Sequence, residues 1–182
     1  SMKRIFKVVS QEEFDQWYKK QESLYFTQIR DKAEDPNKGK TLPVEVGMRA
    51  KAFSESIKAA VESADINAKT LTLNHVNFET GSSALTADSR YELDNLVTAM
   101  TTYPSLVIEV AGHTDNVGDP AANMALSGQR AASVVKYLTD RGIPSSRLRP
   151  HGYGDTKPLG ENDTEENRAK NRRTEFTILS SI

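Results

Sequence analysis

From Lys69 onward the apolar residues switch repeatedly between a period of two and a period near four, and this alternation restricts the fold more than any other feature of the chain. Thr70 to Phe78 reads as a strand with Leu71 and Leu73 inward and a bulge before Val76 and Phe78. Leu85 to Met100 follows as a helix on Leu93, Leu96, Val97 and Met100, stopped before Pro104. Leu106 to Ala111 is the next strand, with Leu106, Ile108 and Val110 on one face. A helix over Asn123 to Arg141 carries Leu126, Val134, Val135 and Leu138 and is ended by Gly142 and Pro144. Arg147 to Tyr153 is a short strand, Glu165 to Asn171 one or two helical turns, and Arg173 to Leu179 a final strand with Phe176 and Ile178 inward. The expected architecture is an α/β, β-α-β-α-β-(α)-β two-layer sandwich, with helices packed on a mixed sheet.

The N-terminal third has a different texture. Ile5, Val8 and Val9 favour a short strand, and Ser10 with Glu13 has the spacing of a capping box. Phe14, Trp17, Tyr18, Gln21, Leu24 and Tyr25 then form one helical stripe. Such an aromatic stripe needs a surface to cover it, either the main domain or a partner. Asp31 to Pro43 is polar and broken by Pro36, Gly39 and Pro43, the pattern of a linker. A helix from Val44 to Ala64 places Phe53, Ile57, Ala60 and Val61 on one side. The expected organisation is therefore a strand-helix segment over 1–30, a linker over 31–43, a lead-in helical segment over 44–68 and the main domain over 69–182.

Composition narrows the function. Lys and Arg total 24 against 25 Asp and Glu, so the surface has no basic excess for nucleic acid. With no cysteine, a disulfide framework, a thiol nucleophile and a Cys-ligated metal are excluded. His75, His113 and His151 lie on separate segments without the spacing of a helical zinc pair, so no metal or cofactor is called for. His113 beside Asp115 could suggest a general base, but no nucleophile elbow accompanies it; His113 reads as a sheet-end residue that orients its loop. Gly152-Tyr-Gly154 lacks the lysine and third glycine of a phosphate loop. The charged run Glu161 to Arg173 reads as a solvated face, Arg172 excepted. The expectation is a binding module and not an enzyme. No apolar run approaches the ~20 residues of a membrane helix, so any targeting or membrane segment is expected outside these residues.

Two charged residues stand out by position. Asp115 follows what should be the sheet's most buried strand, in Gly112-His-Thr-Asp115. Arg130 lies four residues from both Leu126 and Val134, on the apolar face of its helix, where a guanidinium needs a partner. Spacing alone leaves two readings: an internal salt bridge, or a receptor in which Asp115 takes an ammonium and Arg130 grips a carboxylate with its fork.

The stretch 71–179 resembles the OmpA-like peptidoglycan-binding domain shared by OmpA, Pal and MotB. The resemblance rests on Val76-Asn-Phe78 with Ser83-Ala-Leu85, Ile108-Glu-Val-Ala-Gly-His-Thr-Asp115, Gly118 with Asn123, and Leu126-Ser-Gly-Gln-Arg-Ala131. It continues through Gly142-Ile143, Gly152-Tyr-Gly154, Pro158 and Asn171-Arg-Arg173. It implies non-covalent binding of peptidoglycan through the diaminopimelate of the stem peptide, in the periplasm of a diderm bacterium. It further implies that Asp115 binds the ammonium and Arg130 the carboxylate. Asn123 would hold the loop and contact the peptide, Phe78 and Thr80 would form the pocket rim, and Arg172 would join through the Asn-Arg-Arg motif. Asn167 departs from the family's usual glycine, where it would alter a turn, and Val117 from a hydroxyl residue. A scaffold that binds another envelope protein is the alternative class; retained folding with no wall binding would favour it. Residues 1–17 are similar to the C-terminal end of cytochrome c oxidase subunit II, through Phe6-Lys-Val-Val-Ser-Gln-Glu-Glu-Phe-Asp-Gln-Trp17. That likeness would place Met2 at a copper ligand's position and make the chain the end of a respiratory fusion, although the cysteines and histidine of the copper site are absent here.

Overall fold

The computed structural model describes residues 40–180 continuously and, before them, Ser10, Glu12, Glu13, Gln16, Trp17, Tyr25, Ile29, Arg30, Lys32, Ala33, Asp35, Pro36 and Lys38. The expected strand near Val9, most of the aromatic stripe, and Met2 lie outside the described residues. The chain divides into two compact units, Ser1–Pro43 and Val44–Ile182. In the first unit the capping box is present: the Ser10 amide donates to Glu13 Oε2 (2.9 Å) and the Glu13 amide to Ser10 Oγ (3.2 Å). The stretch read as a linker contains a closed turn, in which buried Asp35 accepts from the Tyr25 hydroxyl (2.7 Å) and the Arg30 guanidinium (2.9 Å).

The second unit is the expected sandwich. Helices α1 (Pro43–Glu62), α2 (Ser89–Thr102), α3 (Pro120–Asp140) and α4 (Glu165–Asn171) accompany strands β1 (Thr70–Thr72), β2 (Val107–His113), β3 (Leu148–Gly154) and β4 (Thr174–Ser180). The sheet order is β1-β4-β2-β3; β2 and β3 run parallel, the other pairs antiparallel. Alternation on β4 buries Thr174, Phe176 and Ile178 and leaves Leu179 exposed, so one sheet face carries the core. That core joins Phe176, Ile108 and Val110 to Leu93, Leu96 and Met100 of α2, Val134 and Leu138 of α3, and Ile57 and Ala60 of α1. Phe53 of α1 packs beside Phe176, with ring centroids 6.1 Å apart. Among the described residues, no helix is long and apolar enough to cross a membrane.

Three boundaries differ from expectation by three residues or more, each for a local reason. β1 stops at Thr72 because the chain turns after Leu73, whose amide still reaches the Thr174 carbonyl (2.8 Å). The turn closes with the Val76 amide on the Leu73 carbonyl (3.3 Å) and the His75 amide on the Glu92 carboxylate (2.6 Å). Burial raises the pKa of Glu92, only partly offset by the His75 and Asn74 amides. Helix α2 starts at Ser89 and not Leu85, because Leu85 is committed to an antiparallel bridge with Phe78. Helix α3 starts earlier than expected: Asp119 accepts from the Ala122 amide (2.8 Å), and Pro120 fits the first helical position.

Two glycines let α3 lie close on the sheet. A Cβ at Gly152 would collide with the Gly128 backbone nitrogen, and one at Gly112 with the Ser127 carbonyl oxygen. Ser127 is buried at this crossing, where its hydroxyl donates to the Met124 carbonyl and accepts from the Gly154 amide, each at 2.9 Å. The close approach fixes α3 relative to the C-terminal end of β2, where both residues singled out by position converge.

Candidate functional site

At the C-terminal end of β2 the chain leaves the sheet with its amides already used. The His113 amide donates to the Arg173 carbonyl and the Thr114 amide to the Gly154 carbonyl, each at 2.9 Å. Asp115 is therefore delivered at a fixed point. Its Oδ1 accepts from the Val117 amide (3.1 Å), and the Asn123 side-chain amide ties the loop by donating to the carbonyls of Asp115 (3.3 Å) and Val117 (3.1 Å).

The partner of Asp115 is Arg172. One Arg172 nitrogen reaches Asp115 Oδ2 at 2.6 Å and the other reaches Glu165 Oε1 at 2.5 Å. The hydrogen bonds that Arg172 donates, to Asp115 first and then to Glu165, raise its pKa. The reading in which Asp115 and Arg130 form an internal salt bridge is thus not what the structure contains. Arg130 donates from Nε to the Ser82 carbonyl (3.0 Å) and lies over the Phe78 ring, 5.1 Å from its centroid. It makes no ion pair among the described residues. A half-buried guanidinium tolerates this because its outer edge still meets solvent. Its environment nevertheless disfavours the charge: burial first, then the Arg172 cation, lower its pKa, against a smaller opposing effect from Asp115.

Between α3, the loop after β1 and the start of β4 lies a cleft of about 290 Å³. Its walls are Val76, Asn77, Phe78, Thr80, Gly81, His113, Arg130, Arg172, Arg173 and Thr174. Of the residues expected from sequence, the structure gathers Phe78, Thr80, Arg130 and Arg172 on these walls. Asp115 stands behind Arg172, 8% exposed, and Asn123 serves the loop. The Phe78–Leu85 loop is anchored by Ser89, whose hydroxyl donates to the Asn77 carbonyl and accepts from its amide, each at 2.8 Å.

Sequence reasoning placed His113 at the sheet end but missed its partners, Tyr153 and Glu175. His113 is buried and stacked on Tyr153, with Nε2 3.1 Å from Glu175 Oε1, while Nδ1 is buried without a partner among the described residues. Glu175 also accepts from Arg173 Nε (2.9 Å). Burial pushes the Glu175 carboxyl up, but the His113 and Arg173 hydrogen bonds and the Arg173 charge outweigh it and hold it at about 2. The signal was present as alternation: His113, Arg173 and Glu175 flank paired strand ends. Asn167, expected to alter a turn, instead sits inside α4, where its side-chain amide donates to Asp163 (2.9 Å). Val117 is exposed.

The cleft thus presents three guanidiniums, two of them balanced by carboxylates and one not. Chemically, such an arrangement can receive a small anionic group against the aromatic side wall of Phe78. Among the described residues no group of His, Asp and Glu could hold a metal ion.

Comparison with known proteins supplies the context. The OmpA family model matches residues 77–172. Outer membrane porin F of Pseudomonas fluorescens is 40% identical over 103 residues, 57% of this chain and 32% of its own length. The peptidoglycan-associated lipoprotein of Rhizobium meliloti is 35% identical over 106 residues, covering 58% of this chain and 60% of its own. The chain therefore spans less than two thirds of these relatives. Among solved structures, a MotB-like protein from Desulfovibrio vulgaris aligns with a TM-score of 0.58 at 25% identity, covering 74% of this chain and 93% of that one. The cell wall anchor of the T6SS from Pseudomonas aeruginosa aligns with a TM-score of 0.55 at 26% identity, covering 71% and 94%.

Proposed function

The chain belongs to the OmpA family, and on that premise we propose that its Val44–Ile182 unit binds peptidoglycan without a covalent bond and anchors the protein that carries it to the cell wall. The family is a binding and anchoring type, and no reaction is assigned to this cleft. Two of the relatives, a peptidoglycan-associated lipoprotein and a cell wall anchor, support the assignment. The ligand is the diaminopimelate of the stem peptide, whose side chain ends in an ammonium and a carboxylate on one carbon. Arg130 takes the carboxylate, Asp115 faces the ammonium, Phe78 and Thr80 edge the pocket, Arg172 holds Asp115 and Asn123 holds the loop. The compartment is the periplasm.

The observation that carries this reading is Arg130, a half-buried guanidinium without an ion-pair partner among the described residues, opening into the cleft beside a second arginine. A carboxylate received there gains a charge-assisted, bidentate partner. Lysine-type stems have the ammonium and lack the carboxylate. Sedimentation with purified diaminopimelate-type and lysine-type walls tests the proposal. The chain should pellet with the first and bind the second about 10- to 100-fold more weakly. Equal pelleting with both would refute the diaminopimelate assignment.

A further inference from the structure

We infer that the cleft reads the carboxylate of its ligand and is nearly indifferent to whether the adjacent amine is free, so that it accepts cross-linked stems about as well as uncross-linked ones and rejects stems whose carboxylate is amidated. The inference rests on the diaminopimelate reading above. It answers a question of wall chemistry, because in a cross-link the side-chain amine becomes an amide and loses its charge while the carboxylate on the same carbon stays free.

The two charged partners are asymmetric. Arg130 has five N–H donors, of which one is used on the Ser82 carbonyl. Its positive charge is opposed by burial and by Arg172, so an arriving carboxylate relieves an existing electrostatic cost as well as making new hydrogen bonds. Asp115 is in the opposite condition. Both of its oxygens already accept, Oδ2 from Arg172 at 2.6 Å and Oδ1 from the Val117 amide at 3.1 Å. Its side chain is 11% exposed and does not line the cleft. A ligand ammonium must share a carboxylate whose charge is already compensated, and must approach Arg172 to do so.

Acylation of that amine has two effects that oppose each other. It removes the contact with Asp115, and it also removes a positive charge from a ligand entering a cleft walled by Arg130, Arg172 and Arg173. Amidation of the carboxylate has no such offset. It replaces two acceptor oxygens by one acceptor and an N–H₂ group whose donors face the donors of Arg130.

The test is calorimetry on the full chain with three synthetic stem tripeptides: free diaminopimelate, its side-chain N-acetyl derivative, and its side-chain carboxamide. Acetylation should change Kd by less than about threefold, and amidation should weaken binding about 10- to 100-fold. Ligand variants leave the protein untouched, so misfolding cannot produce the pattern. If the free stem binds and acetylation costs as much as amidation, this inference is overturned while the diaminopimelate reading stands. If the free stem fails to bind, the reading and the inference fall together.

Discussion

The two ends of β2 each hold a half-buried arginine, and the two differ in one respect. At the N-terminal end, Arg147 donates to three backbone carbonyls, those of Leu106, Met100 and Tyr103, each at 2.8 Å. At the C-terminal end, Arg130 donates to one, that of Ser82. Burial lowers the pKa of both. Arg147 is a finished structural joint: it collects carbonyls that the end of α2 and the following turn leave without helical partners. Arg130 is unfinished, with donors still to place and a second cation beside it. Burial and charge type do not separate these two arginines; the count of satisfied donors does.

The largest expected effect tests the finished end. Arg147→Met removes three hydrogen bonds to backbone carbonyls and should lower unfolding free energy by about 3–4 kcal/mol. Urea denaturation would measure it, and the folded fraction should still pellet with walls. A loss below about 1 kcal/mol would mean those carbonyls find water, and the contrast between the two ends would weaken.

The cleft end contains its own completed arginine, and pH exposes it. Glu175, joined to His113 and Arg173, has its pKa lowered from the ordinary 4.5 to about 2 in the folded protein. Because the folded value lies below the unfolded one, the stabilisation is fully present above about pH 4.5 and is lost as pH falls from there through about 2. For a side chain 16% exposed the shift corresponds to something on the order of 3 kcal/mol. Stability curves at several pH values on the wild type and on Glu175→Gln should diverge above that window and converge below it. Parallel curves would show that the His113 and Arg173 contacts do not bias Glu175 toward its charged form.

Arg130→Gln should show the reverse of Arg147→Met. Wall binding should fall about 10- to 100-fold, and the melting midpoint should hold or rise, since a half-buried cation beside Arg172 is removed. A destabilised variant that binds normally would move Arg130 to the structural class.

The same contrast explains what was legible in the sequence. Apolar periodicity located the strands and helices because burial on one face imposes it, and the spacing of Arg130 from Leu126 and Val134 placed it on the inner side of α3. The partners of Arg147 are main-chain carbonyls, which no side-chain pattern encodes. The pairing of Asp115 with Arg172 crosses 57 positions and depends on β2 and β4 being neighbours, which the strand order decides. The late start of α2 arose from a bridge between Phe78 and Leu85, a single pairing too short to show periodicity. Gly112 and Gly152 stood in plain view, but their reason, the close approach of α3, is visible only once the layers are assembled.

Arg172 falls between the two arginines, and it gives the smallest and sharpest test. Its donors are engaged, as those of Arg147 are, and it stands on the cleft like Arg130. Its fork spans two carboxylates of unequal weight: Asp115, 11% exposed in its side chain, and Glu165, 68% exposed. The Glu165 half is screened by water and contributes little. Lysine at this position can keep one partner, and the buried Asp115 is the one it should keep. Arg172→Lys should therefore cost at most about 1 kcal/mol of stability and weaken stem binding by roughly threefold, through a less firmly held Asp115. Glu165→Gln should leave both quantities within error. Urea denaturation and calorimetry on the two variants would separate the possibilities. If Arg172→Lys instead abolishes binding while folding is intact, Arg172 itself grips the ligand carboxylate, and the donor count that set Arg130 apart has singled out the wrong arginine.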